Sequence, residues 1–540
     1  MYYSSKSNVR PIEISQWLPI GLILLLGLTL RLYQLTTESL WVDEMLSIGD
    51  AETFEFGFPY LRPFYYLLLK GWMYFGTSDA WLRGLSVVFG LGGIFLTYRL
   101  GQRLIGESTG LIAALMMTLA PLFINHAQEI RMYTLISFLS LAGTLALSHV
   151  LEQPSYGALI VWVLARIALL LTNSNNVLIL FPDTLLLCWT FRKQFRWLVI
   201  SGFSMALIVL TFLPPLWLLT QGGASEDFMS KQIGAWQYVK PGASQILGMI
   251  TQFTVYWPLR YLFESNNIVL TGDQLGDQSL LTEALKVLPL IAYGFFNLIL
   301  LGLLTIPIVA LFRRDLRSER LVWLVSWAVL PAIAMLAVSY TKGTIWFPRY
   351  LMFIGPYFLI LLASGFVVVW HWRRKVGIAI AVFYLIAVAG GLKDYYTTLY
   401  RNDWQGVAEY IQTHEQAGDS LIYYSADRMR PQSLPRYYSG TLPINNLSRP
   451  GKQGLDPKFI RQELNQMPPV QSRLWLVCWV YCTDKAEMGQ VFETVVGQDY
   501  QVVNLEDQPI SQKGQPLKPT QTFKNLEIPH IQIFLVEPKP

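Results

Sequence analysis

Four short segments set ionisable residues among apolar ones. Glu38-Ser-Leu-Trp-Val-Asp-Glu-Met-Leu-Ser47 carries adjacent carboxylates, Asp43 and Glu44, between Trp41 and the pair Met45 and Leu46. A carboxylate partly screened from water by such neighbours is a better base than a solvated one. A solvated polar flank is the plain alternative for an acidic pair in a loop. In Leu61-Arg-Pro-Phe-Tyr-Tyr-Leu67, Arg62 heads a short apolar stretch, with Tyr65 just behind it. Pro63 suits the first position of a helix, and a helix N-terminus welcomes an anion. Anchoring to lipid headgroups by Arg and Tyr is the equal alternative there. Pro121-Leu-Phe-Ile-Asn-His-Ala-Gln-Glu-Ile-Arg-Met-Tyr133 packs His126, Gln128, Glu129, Arg131 and Tyr133 into a connection hardly longer than a turn. Glu129 and Arg131 paired at a surface would contribute little, but ionisable groups so close to hydrocarbon mark functional positions. The last segment, Lys342-Gly-Thr-Ile-Trp-Phe-Pro-Arg-Tyr350, holds Lys342 and Arg349.

Carboxylates at 43, 44 and 129 with cations at 62, 131, 342 and 349 suit a phosphate-linked substrate, and a sugar phosphate in particular. Displacing a phosphate from an anomeric carbon needs a base for the incoming hydroxyl. The leaving phosphate is already a stable anion, so no second carboxylic acid is needed, in contrast to glycoside hydrolysis. Cations that steady the developing charge matter more.

The elements that must position these residues follow from composition. The chain has 540 residues, 53% of them hydrophobic and only 14% charged, with a mean hydropathy of +0.37. A soluble domain carries about 25% charged residues, so the composition describes a polytopic membrane protein. Three cysteines exclude a disulfide scaffold, and Cys188 reads as a small core residue. The net charge of +5 is spread in short clusters between apolar runs, which gives no nucleic-acid partner. Stretches of roughly 20 apolar residues predict about eleven transmembrane helices: 16–35, 82–100, 111–124, 132–151, 156–172, 177–190, 197–220, 287–312, 321–340, 350–370 and 376–392. The stretch 63–76 reads as a helix lying at the membrane surface, and 247–263 as a second one.

Basic clusters at Lys6/Arg10, Arg99/Arg103, Arg192/Lys193/Arg196, Arg313/Arg314/Arg317/Arg320 and Arg373/Arg374/Lys375 fall on one side. The positive-inside rule makes that side cytoplasmic. The protein is then a multi-pass cell (inner) membrane protein with a cytoplasmic N-terminus. Residues 1–392 form the membrane domain. Residues 393–540 form a small extracytoplasmic α/β domain, with strands expected at 420–424, 473–480, 501–505 and 531–536 and an acid-capped helix at 403–412.

The motifs Ser39-Leu-Trp-Val-Asp-Glu-Met-Leu-Ser47, Arg62-Pro-Phe-Tyr-Tyr-Leu-Leu-Leu69, Gln128-Glu-Ile-Arg-Met-Tyr133 and Pro348-Arg-Tyr-Leu351 resemble those of membrane glycosyltransferases of the GT-C fold. The closest group is the glycosyltransferase family 39-like proteins, related to protein O-mannosyltransferases and to lipid A aminoarabinose transferases. The resemblance is strongest over residues 39–151. It implies the GT-C fold, a polyprenyl-phosphate sugar donor and transfer on the extracytoplasmic side to a lipid, glycan or protein acceptor. It implies Asp43 as catalytic base with Glu44 beside it, and Glu129 as a second acidic position near the acceptor or a metal. Arg131 and Arg349 would contact the lipid phosphate, with Arg62, Tyr65, Tyr133 and Lys342 completing the substrate contacts. A carboxylate pair permits a divalent metal, Mg or Mn, without demanding one. Two departures bear on substrate identity. Leu61-Arg62-Pro63 stands where the family has His-Pro-Pro or Lys-Pro, and Thr172-Asn-Ser-Asn-Asn176 stands where relatives carry a His. A flippase for lipid-linked sugars and a non-catalytic assembly protein are the competing readings. The first is disfavoured because the ionisable residues gather at one face without repeated halves. Intact Asp43, Glu129 and Arg131 count against the second.

Overall fold

In the computed structural model, the described residues are 14–55, 62–221, 241–255, 280–311, 318–341, 345–397, 401, 403–425, 433–446 and 473–479, with the strands 500–502, 510–512, 515–516, 526–528 and 531–538. Lys342, the clusters Lys6/Arg10 and Arg313/Arg314/Arg317, and the far part of the 247–263 stretch lie outside them. The chain divides into two compact units. One comprises Met1–Tyr33 and Phe54–Leu392, the other Gln34–Thr53 and Lys393–Pro540.

The first unit is helical. Its elements up to the middle of the chain are α1 (Ile14–Leu32), α3 (Pro63–Met73), α4 (Asp79–Leu104), α5 (Glu107–Leu119), α6 (Pro121–Ala127), α7 (Tyr133–Glu152), α8 (Tyr156–Thr172), α9 (Leu180–Phe191) and α10 (Phe195–Gln221). Then follow α11 (Ala243–Thr254), α12 (Leu280–Leu311), α13 (Ser318–Thr341), α14 (Gly355–Trp372) and α15 (Arg374–Thr397). Each of the eleven predicted spans contains a helix. Among the described residues, seven helices are long and apolar enough to cross a bilayer, or eight if the bent pair α5–α6 is one span. The protein is a multi-pass membrane protein. The remaining predicted spans are short: α9 has 12 residues, about 18 Å at the helical rise. The polar run before it breaks the chain, because Asn173 Oδ1 accepts the Asn175 N–H at 2.9 Å and turns the backbone into a 3₁₀ segment, Ser174–Ile179.

The bend of 63° between α5 and α6 has a local cause. Pro121 has no N–H to give the carbonyl four residues back. That carbonyl, on Met117, instead accepts from Arg31 Nη2 at 3.3 Å, and Thr118 O accepts from Arg31 Nη1 at 3.4 Å. Arg31 is fully buried. α4 and α5 meet closely, since a Cβ on Gly110 would stand 2.5 Å from the Tyr98 carbonyl oxygen. α7 and α14 are buried along most of their length, whereas α10, α12 and α15 expose apolar side chains such as Phe203, Leu298 and Ile386. Cys188, expected in the core, is exposed on α9. At one end of the bundle Glu152 accepts from Arg103 Nη2 at 2.5 Å and pairs with Arg320 Nε at 2.6 Å. This carboxylate gathers basic groups from α4 and α13 beside the 152–155 connection, which has no cation of its own.

The second unit is α/β. The helix α16 (Trp404–His414) is capped by Asp403, whose Oδ1 accepts the Gly406 N–H at 2.8 Å. Trp404, Val407, Ala408 and Ile411 form one apolar stripe and pack on Leu421, Tyr423, Trp475, Val477, Ile533 and Leu535, which share one face of the sheet. The strands are β1 (Ser420–Ser425), β2 (Ile444–Asn446), β3 (Leu474–Trp479), β4 (Tyr500–Val502), β7 (Leu526–Ile528) and β8 (Ile531–Pro538), in the order β2-β1-β3-β8-β4 with β7 also on β8. β1 pairs in parallel with β2 and β3, and β8 runs antiparallel to β3, β4 and β7. A separate two-stranded ladder joins β5 (Ile510–Gln512) and β6 (Gln515–Pro516).

Gln34–Thr53 belongs with this unit through its own contacts. The segment expected as an acidic loop is a helix from its fifth residue on: α2, Val42–Glu52. Its start is capped by Glu44, whose Oε2 accepts the Trp41 N–H at 3.2 Å. Two acids in the first turn also suit the positive end of the helix dipole.

Candidate functional site

In the membrane unit the site grows from the bend at Pro121. α6 ends at Ala127, and a tight turn of five residues carries the chain into α7. The turn is held from two directions. Gln128 Nε2 donates to Arg31 O at 2.9 Å and Tyr33 O at 2.8 Å, taking two carbonyls at the end of α1. Ser86 on α4 donates to Glu129 O at 2.5 Å and Arg131 O at 3.2 Å. His126, Gln128, Glu129, Arg131 and Tyr133 are all buried. Around the Glu129 carboxylate, Asn125 Nδ2 donates to Oε1 at 3.2 Å and His126 Nδ1 meets Oε2 at 3.1 Å. The His126 ring lies 4.7 Å from that of Tyr133.

The Arg131 guanidinium stands 5.9 Å from the Tyr133 ring centre. Arg62 precedes α3, entered through Pro63 as the sequence indicates. Tyr65 is buried in the first turn of the same helix. Arg349 rides on a 3₁₀ turn, Pro348–Leu351, its guanidinium 5.1 Å from the Tyr350 ring and 5.7 Å from that of Phe347.

This turn is fixed by the polar face of α7. Ser137 Oγ donates to Met352 O at 2.8 Å and Ser140 Oγ to Phe353 O at 2.7 Å. Ser140 and Thr144 each stand 2.7 Å from the Tyr357 hydroxyl. Behind them lies a fully buried ion pair. Arg166 Nε donates to Asp183 Oδ2 at 2.7 Å, and its Nη atoms donate to Ser140 O and Thr144 Oγ1 at 2.9 and 2.8 Å. Asp183 also accepts from the indoles of Trp162 and Trp327, each at 2.9 Å. A buried charge is tolerated when its lone pairs and protons are taken up in this way. Arg31, Arg166 and Asp183 escape a reading that treats spans as uniformly apolar. Their signal was available as ionisable residues inside hydrophobic runs.

In the second unit Asp43 is part-exposed in the first turn of α2, while Glu44 is fully buried and lies 3.5 Å from Arg401 Nη1. The neighbouring carboxylates thus differ: Glu44 is turned into the fold and Asp43 reaches solvent. Among the described residues no three His, Cys, Asp or Glu side chains come together as a metal cage.

No protein-family model and no curated protein sequence matches this chain. Solved structures do. ArnT from Cupriavidus metallidurans in the apo state aligns with a TM-score of 0.50 at 14% identity, over 86% of this chain and 93% of that one. The same enzyme bound to undecaprenyl phosphate aligns with a TM-score of 0.51 at 12% identity, over 97% and 98%. At such identities the likeness is one of fold: the chain has the GT-C fold, a polytopic helical membrane bundle with a C-terminal domain.

Proposed function

We propose that this protein is an integral membrane glycosyltransferase that moves a sugar from a polyprenyl-phosphate carrier to a hydroxyl of a lipid, glycan or protein on the extracytoplasmic side. The observation that carries the reading is the buried Arg131, its guanidinium 5.9 Å from the ring of buried Tyr133, with the part-exposed Arg62 and Arg349 as further cations. Guanidinium groups match phosphate oxygens with paired N–H donors. In a site with little water their attraction to a leaving phosphate is much stronger than in solution. The fold shared with a protein solved with undecaprenyl phosphate supports the same donor class.

In the reaction, Asp43 takes the proton of the acceptor hydroxyl. The acceptor oxygen forms a bond to the anomeric carbon as the bond from that carbon to the phosphate oxygen breaks. The polyprenyl phosphate departs as an anion held by the arginines, and the proton stays on Asp43. Glu129, oriented by Asn125 and His126, is the second acidic position, near the acceptor or a divalent metal. Arg62, Tyr65, Arg131, Tyr133, Lys342 and Arg349 are the substrate contacts.

The test is a panel of radiolabelled polyprenyl-phosphate sugars in proteoliposomes containing host lipid and cell-wall extract. Label appearing in a new species is the expected result. Label that crosses the bilayer while remaining on its carrier would overturn the transferase in favour of a flippase.

A further inference from the structure

The helix that carries Asp43 is built into the C-terminal unit by a small set of polar contacts. The Arg401 guanidinium, only 8% exposed, pairs with Glu38 Oε2 through Nε at 3.4 Å and with Glu44 Oε2 through Nη1 at 3.5 Å. Those two carboxylates bracket the turn into α2, five residues before Asp43 and one after it. Two further bonds hold the same turn. Ser39 Oγ accepts the Gln405 N–H at 2.8 Å, and the Tyr437 hydroxyl accepts the Leu40 N–H at 2.8 Å. Met45, on the next position of α2, packs against the core built on Trp404 and Trp475 and meets Ser433 Oγ through its sulfur at 3.2 Å.

We propose that Arg401 is a positioning residue for Asp43: by clamping Glu38 and Glu44 it fixes the start of α2, so that the C-terminal unit is a working part of the transferase. This rests on Asp43 as the base. Physically, Glu44 is doubly engaged, capping the Trp41 N–H and facing Arg401. A helix start held on both sides cannot swing, and the side chain at its second residue keeps one direction. Proton transfer is sensitive to such direction, since a base displaced by about 1 Å loses roughly a hundredfold in rate. Binding of a lipid phosphate by arginines elsewhere in the chain is not sensitive to it.

The test uses the full-length protein in proteoliposomes and compares wild type, Arg401→Gln, Arg401→Lys and Asp43→Asn. Arg401→Gln is expected to lower kcat by ten- to a hundredfold with the KM for the donor unchanged, and Arg401→Lys to recover part of the loss. Amide hydrogen exchange supplies the second readout. In Arg401→Gln the amides of 42–52 are expected to exchange at least tenfold faster, while those of β1 and β3 keep their rates. Unchanged exchange over 42–52, unchanged kcat, or a rise in KM alone would each overturn the clamp. If Arg401→Gln does not fold, Tyr437→Phe, which removes the acceptor of the Leu40 N–H, carries the same expectation for exchange and kcat. If wild type transfers no sugar at all, the functional reading fails, and the exchange data judge the clamp alone.

Discussion

At the residue scale, the two neighbours Asp43 and Glu44 show how far residue type can lead. As a pair they read as one acidic feature, and only the helix that starts at Val42 separates them into a part-exposed carboxylate and a buried cap. Glu129 was visible as a charge near hydrocarbon. Its partners Asn125 and His126 follow from the seven-residue helix that Pro121 begins. The arginines carry a direct expectation. A charge-assisted hydrogen bond contributes about 1.5–3 kcal/mol, so Arg349→Ala should weaken binding of a polyprenyl phosphate about ten- to a hundredfold. Binding of the uncharged polyprenol should be unaltered. Equal losses for both lipids would mean that Arg349 shapes the groove and does not hold the phosphate.

At the scale of elements, helix positions were legible because twenty apolar residues have few other fates, and strands β1, β3 and β8 were legible from their alternation. What the pattern could not tell was where an apolar run breaks. The bend that Pro121 opens is held by two bonds from an arginine some ninety residues away, and the break at Asn173 by a bond from its own side chain. The Arg166–Asp183 pair gives a prediction at this scale. Arg166→Met leaves the Asp183 charge buried and should cost about 3–5 kcal/mol, read as a lowered thermal midpoint in detergent. Arg166→Met with Asp183→Leu should recover part of it, and a double variant no better than the single would deny that the lone charge is the cause.

The sheet unit adds a pH dependence. Burial pushes the Glu415 carboxyl up, but the N–H and hydroxyl of Thr441, both at 2.9 Å, and the Tyr438 hydroxyl together hold it below the usual carboxylate range. Its contribution is therefore present above about pH 4.3, the ordinary Glu value, and is lost as the pH falls through the lower folded value. Glu415→Gln should flatten the acid limb of the unfolding curve for this unit. An unchanged limb would remove Glu415 from that role.

At the scale of the whole molecule, composition already declares a multi-pass membrane protein, and the helices agree with it. Orientation rests on the loop cations. Arg99, Arg103 and Arg320 were read as belonging to one side, and Glu152 indeed ties Arg103 and Arg320 together at one end of the bundle. With that end cytoplasmic, alkaline phosphatase fused after residue 540 should be active and a green fluorescent fusion at the same place dark. The reverse pattern would invert the topology. The membership of Gln34–Thr53 in the C-terminal unit was illegible for a simple reason: sequence distance hides contacts such as that of Leu40 with Tyr437, and no local pattern encodes them.

The central claim is that Asp43 is the base of a sugar transfer, and the most direct measurement is single-turnover transfer by wild type and Asp43→Asn with donor already bound. General-base catalysis contributes about a hundred- to ten-thousandfold. The account predicts a rate constant lowered by at least a hundredfold in Asp43→Asn with donor affinity and thermal midpoint unaltered. Equal rate constants in the two proteins would contradict it.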